Sequence, residues 1–417
     1  MSVRSSLFPS NALCKGARVA AIIGAFALVS ACGSDQHGIA GPGAVGGTPG
    51  GGVSVAVIAS PSWQEMARNL VADAKLNALA AGRAYPLLGV VQYLAVQRAE
   101  EAQGTIGARP ETDRGAVAGA SVAVLSYLFP TKIETLEEMV KQQRNAPPAQ
   151  SHAAFATGEA IGRALGAEMV ARGRLDGFGT ASTAIAPLGA GLWTSSTTPA
   201  TLTAGGQLPG MARWFLTSAN QFRPGAPPTF GSTEFNAALA EIRKISDTRT
   251  DQQIQIATFW AFNPGTATPP GFWLEEASKE IASHRLSERE ATHVFALVSS
   301  TMADALVSCW DAKLTYWLIR PWNADVGITT LASVGEPNHP SYPSGHSCVS
   351  SSAAEVLSMF FPDRRADLSA MVTEAGLSRM YAGIHYRFDI EAGQKLGRSV
   401  ALFAIAADAS GSSVLMR

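Results

Sequence analysis

Apolar residues recur every three to four positions along most of this chain. Alanine, leucine, valine and isoleucine keep that spacing over residues 61–82, 85–103, 113–129, 132–145 and 151–174, which is the period of helices with one buried face. Pro130, Pro147 and Pro148 punctuate the stretches between them. From about 175 to 228 the pattern dissolves into Gly, Thr, Pro and Ser. A structureless stretch of that length is placed to shape the mouth of a site, and Trp193, Trp214 and Phe222 are its candidate anchors. Helical spacing resumes over 232–247, 250–262, 271–284 and 287–320. Ser287 with Glu290 makes a capping box at the start of the last of these. Strand-type alternation is scarce, so the pattern predicts an all-α, multi-helix bundle.

Polar residues interrupt this pattern most tellingly between positions 313 and 389. Lys313, Arg320 and Arg379 are three cations set in largely apolar surroundings, able to neutralise negative charge spread over several oxygens. Lys313 and Arg320 stand seven apart, two helical turns, so both are expected on one helical face together with Trp310 and Trp317. Pro321 ends or kinks that helix. Ser344 is a good N-cap for a helix over 346–361. With Gly345 it opens that helix and offers backbone N–H groups to an anion. His346 and His385 can divide nucleophile and acid/base roles. Asp389 lies four residues beyond His385, in reach to fix its tautomer and raise its basicity.

The ordered blocks KLTYWLIRP, PSGH and SRMYAGIHYRFD resemble the signature of the type 2 phosphatidic acid phosphatase and vanadium haloperoxidase superfamily. The resemblance implies the helical bundle of that fold type. It implies that Lys313, Arg320 and Arg379 bond the equatorial oxygens of phosphate or vanadate, assisted by the backbone at Ser344 and Gly345. His385 would bond directly to phosphorus or to the vanadium of vanadate, His346 would be the apical acid/base, and Asp389 would support His385. The signature alone does not separate the two branches. HPSYPSGH, with His339 seven before His346, and Trp310, three before Lys313, look like the haloperoxidases, and His339 hints at bromide or iodide. The expectation is an enzyme that oxidises halide with hydrogen peroxide at a His385-bound vanadate. The alternative is an acid phosphatase, without cofactor, that hydrolyses phosphomonoesters through a phosphohistidine. A third class, an anion-binding surface lipoprotein with a decayed site, is opposed by the intact motif residues.

The N-terminus adds a location. Arg4, Lys15 and Arg18 precede the apolar run VAAIIGAFALVSA over 19–31, which is followed by Cys32. This reads as a secretory leader over 1–31, and the small residues before the cysteine resemble a bacterial lipobox. The resemblance implies lipidation at Cys32 and a membrane partner through that anchor. Gly33 in place of aspartate points to the outer membrane, periplasm or cell surface. Residues 33–53 are glycine-rich and read as a flexible tether. An N-terminal helical region over 54–290 and a catalytic helical region over 291–417 follow, read as one compact unit.

Composition excludes more than it identifies. Charged residues make up 16% of the chain and the net charge is −1. No basic patch appears, which argues against nucleic acid as a partner. No Cys/His set has zinc spacing and no nucleotide-binding loop is present. Cys309 and Cys348 flank the motif blocks, and an extracytoplasmic setting permits a disulfide between them. His284, His293 and His152 fall in helical patterns and are assigned no chemistry.

Overall fold

The computed structural model describes residues 58–103, 110–146, 152–195, 201–413 and 415. The predicted leader, Cys32 and the glycine-rich tether lie outside them. The described residues form α1 (Ser60–Asp73), α2 (Ala78–Gln103), α3 (Pro110–Leu128), α4 (Ile133–Asn145), α5 (His152–Arg174), α6 (Thr233–Asp247), α7 (Asp251–Phe259), α8 (Thr268–His284), α9 (Glu288–Tyr316), α10 (Pro321–Ala324), α11 (Gly345–Phe360), α12 (Arg365–Tyr381) and α13 (Arg387–Ala409). Extended pairing among the described residues is limited to isolated bridges, one of them between Leu192 and Leu318. The all-α expectation holds.

Several boundaries differ from the periodic reading, each for a local reason. The first break falls after Asp73, not near residue 83. Lys75 takes a left-handed conformation, φ 51°, and the Asn77 side chain caps α2 through the Leu79 and Ala80 amides, both at 3.0 Å. The alanine-rich pattern runs through this break because alanine fits either side of it. Pro86, placed close to the expected start of the second stretch, lies inside α2. The helix expected over 250–262 stops at Phe259. The Ser287 capping box is present as expected. The helix it opens, however, ends at Tyr316 and not at Arg320.

Two helix contacts set the frame. Helices α3 and α5 meet through glycines. A Cβ on Gly119 would lie 2.2 Å from the Glu159 carbonyl oxygen, and one on Gly162 would lie 2.0 Å from that of Ala116. Only glycine allows backbones so close. Helix α9 runs through the interior, with α2 on one side and α11 and α13 on another. Both α2 and α9 are long and apolar enough to span a membrane by length and composition, yet 78% and 94% of the relevant stretches are buried within the protein. A helix apolar all round is what a core position demands.

The described residues of the 175–228 stretch form a loop region as expected, with one short 3-10 turn at Leu208–Gly210, anchored at a buried carboxylate. Asp304 on α9 accepts from the amides of Trp214, Phe215 and Leu216 at 2.9, 2.7 and 3.0 Å. Two apolar clusters result. One spans α2, α3, α9 and α11 and includes Cys309 and Trp310. The other gathers Phe235, Leu318, Tyr342, Ile384 and Tyr386. The candidate residues lie on segments that run between them.

Candidate active site

Lys313 sits in the last turn of α9, 0% exposed. Its Nζ donates to the carbonyls of Pro340, Ser341 and Pro343 at 2.8, 2.9 and 2.5 Å. Trp317 then closes the helix in a left-handed conformation, φ 49°. The next residues run extended against 191–193: the Trp193 amide donates to the Trp317 carbonyl, and the Ile319 amide to that of Gly191. Arg320 therefore lies outside α9, as the N-cap of α10, and the expected shared helical face is corrected. The two cations converge for another reason, since both are clamped to the loop 339–343.

Arg320 is also 0% exposed. It donates from Nε to the His339 carbonyl at 3.0 Å, and from its Nη atoms to the Ile384 carbonyl at 2.6 Å, His385 Nε2 at 3.1 Å and His339 Nδ1 at 3.0 Å. A guanidinium only donates, so it fixes both rings. His385 Nε2 and His339 Nδ1 must each present a lone pair. The 3.2 Å approach of His339 Nδ1 to the Pro340 carbonyl then joins two acceptors and is not a hydrogen bond.

His385 follows the turn at Gly383, φ 76°, and precedes α13. Its Nδ1 donates to Asp389 Oδ2 at 2.8 Å, complementing the lone pair at Nε2. The same Oδ2 accepts from Ser341 Oγ at 2.6 Å and from the Tyr386 amide at 3.1 Å. Asp389 thus caps α13 and orients the imidazole at once. Burial pushes its carboxyl up to about 6, against the Ser341 hydrogen bond and the charge of Lys313. Burial, then the charges of Arg320, Lys313 and Arg379, holds His385 well below the usual imidazole range, so it is neutral.

Helix α11 begins as expected, with Ser344 as N-cap. The Ser344 amide, expected to assist an oxyanion, donates to the Asp389 carbonyl at 2.9 Å. First-turn amides lack intrahelical partners, and those of Gly345 and His346 are the ones at this end. His346 Nε2 meets the Trp260 carbonyl at 2.9 Å. That acceptor fixes the proton on Nε2 and leaves Nδ1 as the basic nitrogen. Burial, then the Arg379 charge, keeps His346 well below the usual range. The same Trp260 carbonyl accepts from Arg379 Nη1 at 2.9 Å. One backbone oxygen at the end of α7 therefore holds both side chains, and Trp260 Nε1 is tied in turn to Glu374 at 2.9 Å.

These residues close one end of a cavity of about 430 Å³. Arg379, His385, His346, His339, Gly345 and Trp310 reach its surface. Lys313, Arg320, Ser344 and Asp389 stand behind them. The three ammonium bonds of Lys313 go to carbonyls, so it reaches the cavity by its charge, and a direct bond to an oxyanion requires one of them to be exchanged. Burial pushes Lys313 down to about 8, helped by the charge of Arg320 and opposed by Cys309 and Asp389. The charge balance is uneven: three buried cations face Asp389. The buried Nε of Arg379 has no hydrogen-bond partner. An unpaired buried guanidinium is costly, and this arrangement suits a multiply charged tetrahedral oxyanion such as phosphate or vanadate.

Ser341 and the Trp260 carbonyl were missed in the sequence. Ser341 lies within HPSYPSGH, but a serine there carries no mark of its target, and a backbone oxygen has no sequence signature. The structure leaves Cys309 and Cys348 as free buried thiols, with Cys309 Sγ 3.8 Å from the Pro343 carbonyl, so the disulfide option is not taken up. His293 is engaged with Asp408 at 2.7 Å and His284 with Glu280 at 2.9 Å, neither at the cavity.

Residues 292–409 match the PAP2 superfamily, and the chain carries a domain of that superfamily. A non-specific acid phosphatase of Providencia stuartii is 30% identical over 120 residues, 28% of this chain and 48% of that protein. One of Salmonella typhi is 42% identical over 57 residues, 14% of this chain and 23% of that protein. The chain thus matches about half the length, or less, of these curated relatives. Among solved structures, a bacterial vanadium-dependent iodoperoxidase aligns with a TM-score of 0.69 at 24% identity, covering 83% of this chain and 94% of its own. A bacterial vanadium-dependent chloroperoxidase aligns with a TM-score of 0.61 at 12% identity, covering 88% and 95%. At these identities the likeness is one of fold.

Proposed function

We propose that this chain, which carries a PAP2 superfamily domain, is a vanadate-dependent haloperoxidase. Halide, hydrogen peroxide and one proton would give hypohalous acid and water. The observation that carries the reading is the Nε2 lone pair of His385, held by Asp389 at Nδ1 and set among three buried cations. When bound, vanadate would supply the centre at which peroxide oxidises halide. His385 Nε2 would hold it, exchanging its contact with Arg320. Arg379, with its unpaired Nε, and the amides of Gly345 and His346 would bond its oxygens. Lys313 and Arg320 would add charge from behind the loop, in a site where charge acts strongly because water is scarce. His346 would move protons at Nδ1. A bound anion offsets the Arg379 charge that, after burial, keeps this ring unprotonated, so it can take up a proton and pass it on. His339, tilted against Trp310 with ring centroids 5.0 Å apart and bonded to Arg320, would face the halide side.

A second reading rests on the local likeness to acid phosphatases over 120 residues. There His385 Nε2 would attack phosphorus, His346 would protonate the leaving alcohol, and water would hydrolyse the phosphohistidine. The test loads the purified protein with orthovanadate and follows halogenation with hydrogen peroxide and bromide or iodide. Vanadate-free protein is assayed against a chromogenic phosphomonoester. Vanadate-dependent halogenation supports the first reading. Phosphatase turnover that vanadate inhibits, with no halogenation, overturns it in favour of the second.

A further inference from the structure

The oxyanion end occupies a small part of the cavity. The rest is a vestibule whose walls are mostly apolar: Leu79 from α2, Leu306 and Trp310 from α9, Phe262 from the α7–α8 link, and Pro269 and Pro270 from α8. Trp310 is fixed, because its Nε1 donates to the Ala204 carbonyl at 2.8 Å. That loop reaches it only because Gly205, φ 77°, has no side chain: a Cβ there would lie 2.3 Å from Trp310 Nε1 and 2.6 Å from Leu79. Phe262 is braced edge-on by Phe259 and Trp260 at 5.6 and 5.7 Å. Beyond the inner end, the lining's remaining charged side chain is Glu336, which is exposed. No second cation among the lining residues awaits a second anionic group, and Glu336 would repel one.

From this we infer that the vestibule seats an uncharged, aryl-sized apolar group directly beside the oxyanion, so the organic substrate carries one anionic head at most. The inference rests on the oxyanion reading of the His385 site. The volume lies within the range of small-molecule sites and exceeds the need of an inorganic anion. Sugar bisphosphates, nucleoside polyphosphates and other multiply charged esters fit this lining poorly.

The test is calorimetric and needs no turnover. Methylphosphonate, benzylphosphonate and methylenediphosphonate share the head group and differ in body and charge. Benzylphosphonate should bind about tenfold tighter than methylphosphonate, or more, as expected for burying a phenyl ring, and methylenediphosphonate no tighter than methylphosphonate. Leu79→Asn should erase most of the benzyl advantage and leave methylphosphonate binding within about twofold, which also reports that the variant folds; Phe262→Ala is the second variant and should reduce the advantage. Equal binding of the benzyl and methyl compounds, or an advantage that survives both substitutions, overturns the inference while leaving the oxyanion site standing. Failure of vanadate and every phosphonate to bind overturns the oxyanion reading and the inference together.

Discussion

Asp389 Oδ2 lies 2.8 Å from His385 Nδ1 and 2.6 Å from Ser341 Oγ, so one carboxylate oxygen joins the loop 339–343 to the imidazole. This contact decides which nitrogen of His385 carries the proton. Asp389→Asn can offer its amide N–H to Nδ1 and reverse the tautomer, taking the lone pair from Nε2. Turnover should fall by about 100-fold or more, the usual cost of losing such a buttress, with far-UV circular dichroism unchanged. Steady-state rates of the variant check this; turnover within twofold of wild type would contradict it.

The Trp260 carbonyl gives a second handle. It holds His346 and Arg379 together, and the indole that positions it is tied to Glu374. Trp260→Phe keeps the ring packing but loses the Nε1 donor. Small displacements of catalytic groups can cost up to roughly 100-fold, so kcat should fall by about tenfold while thermal stability changes little. A matching loss in Glu374→Ala, with no further loss in the double variant, would show that the two act as one unit.

Burial sets a pH limit through Lys313. Its folded pKa is pushed down to about 8 from 10.5. Anion binding favours the charged form, so below about pH 8 affinity is level with respect to this group. Above that, binding must take up a proton, and affinity should fall by up to about tenfold per pH unit. Methylphosphonate titrations from pH 6.5 to 9.5 measure this. The bend near pH 8 should vanish in Lys313→Met, at weaker overall affinity.

The glycine contact between α3 and α5 predicts a stability effect far from the chemistry. Gly119→Ala forces a methyl against the Glu159 carbonyl, 2.2 Å away in the native backbone. Overpacking of this kind costs about 1–3 kcal/mol. The melting temperature should drop, while specific activity below the transition stays at the wild-type value.

Much of the site was legible because its chemistry resides in side chains at fixed spacing. Ser344 was read as an N-cap and is one. His385 and Asp389 were read as partners and are in contact. What escaped depends on tertiary structure. The end of α9 at Tyr316 follows from Trp317 adopting a left-handed conformation against residues 191–193, a contact made across more than a hundred residues. Apolar spacing continues through Leu318 and Ile319 regardless, so periodicity alone carried the helix to Arg320. Nor did the sequence show that backbone partners engage the donors expected to bond an oxyanion, the carbonyls of 340, 341 and 343 for Lys313 and the carbonyl of 389 for the Ser344 amide. Side-chain types reveal charge inventory, whereas backbone claims appear only with the fold. Helices α12 and α13 were not expected from the sequence, where their residues were read only for the chemistry of Arg379 and Asp389.

The central claim is that His385 Nε2 holds a tetrahedral oxyanion among three buried cations. The most direct measurement is orthovanadate binding to the wild type and to His385→Ala, by calorimetry with folding checked by circular dichroism. The account predicts one tightly held vanadate per wild-type chain and a loss of about 100-fold or more in the variant. Equal binding by the folded variant would contradict it.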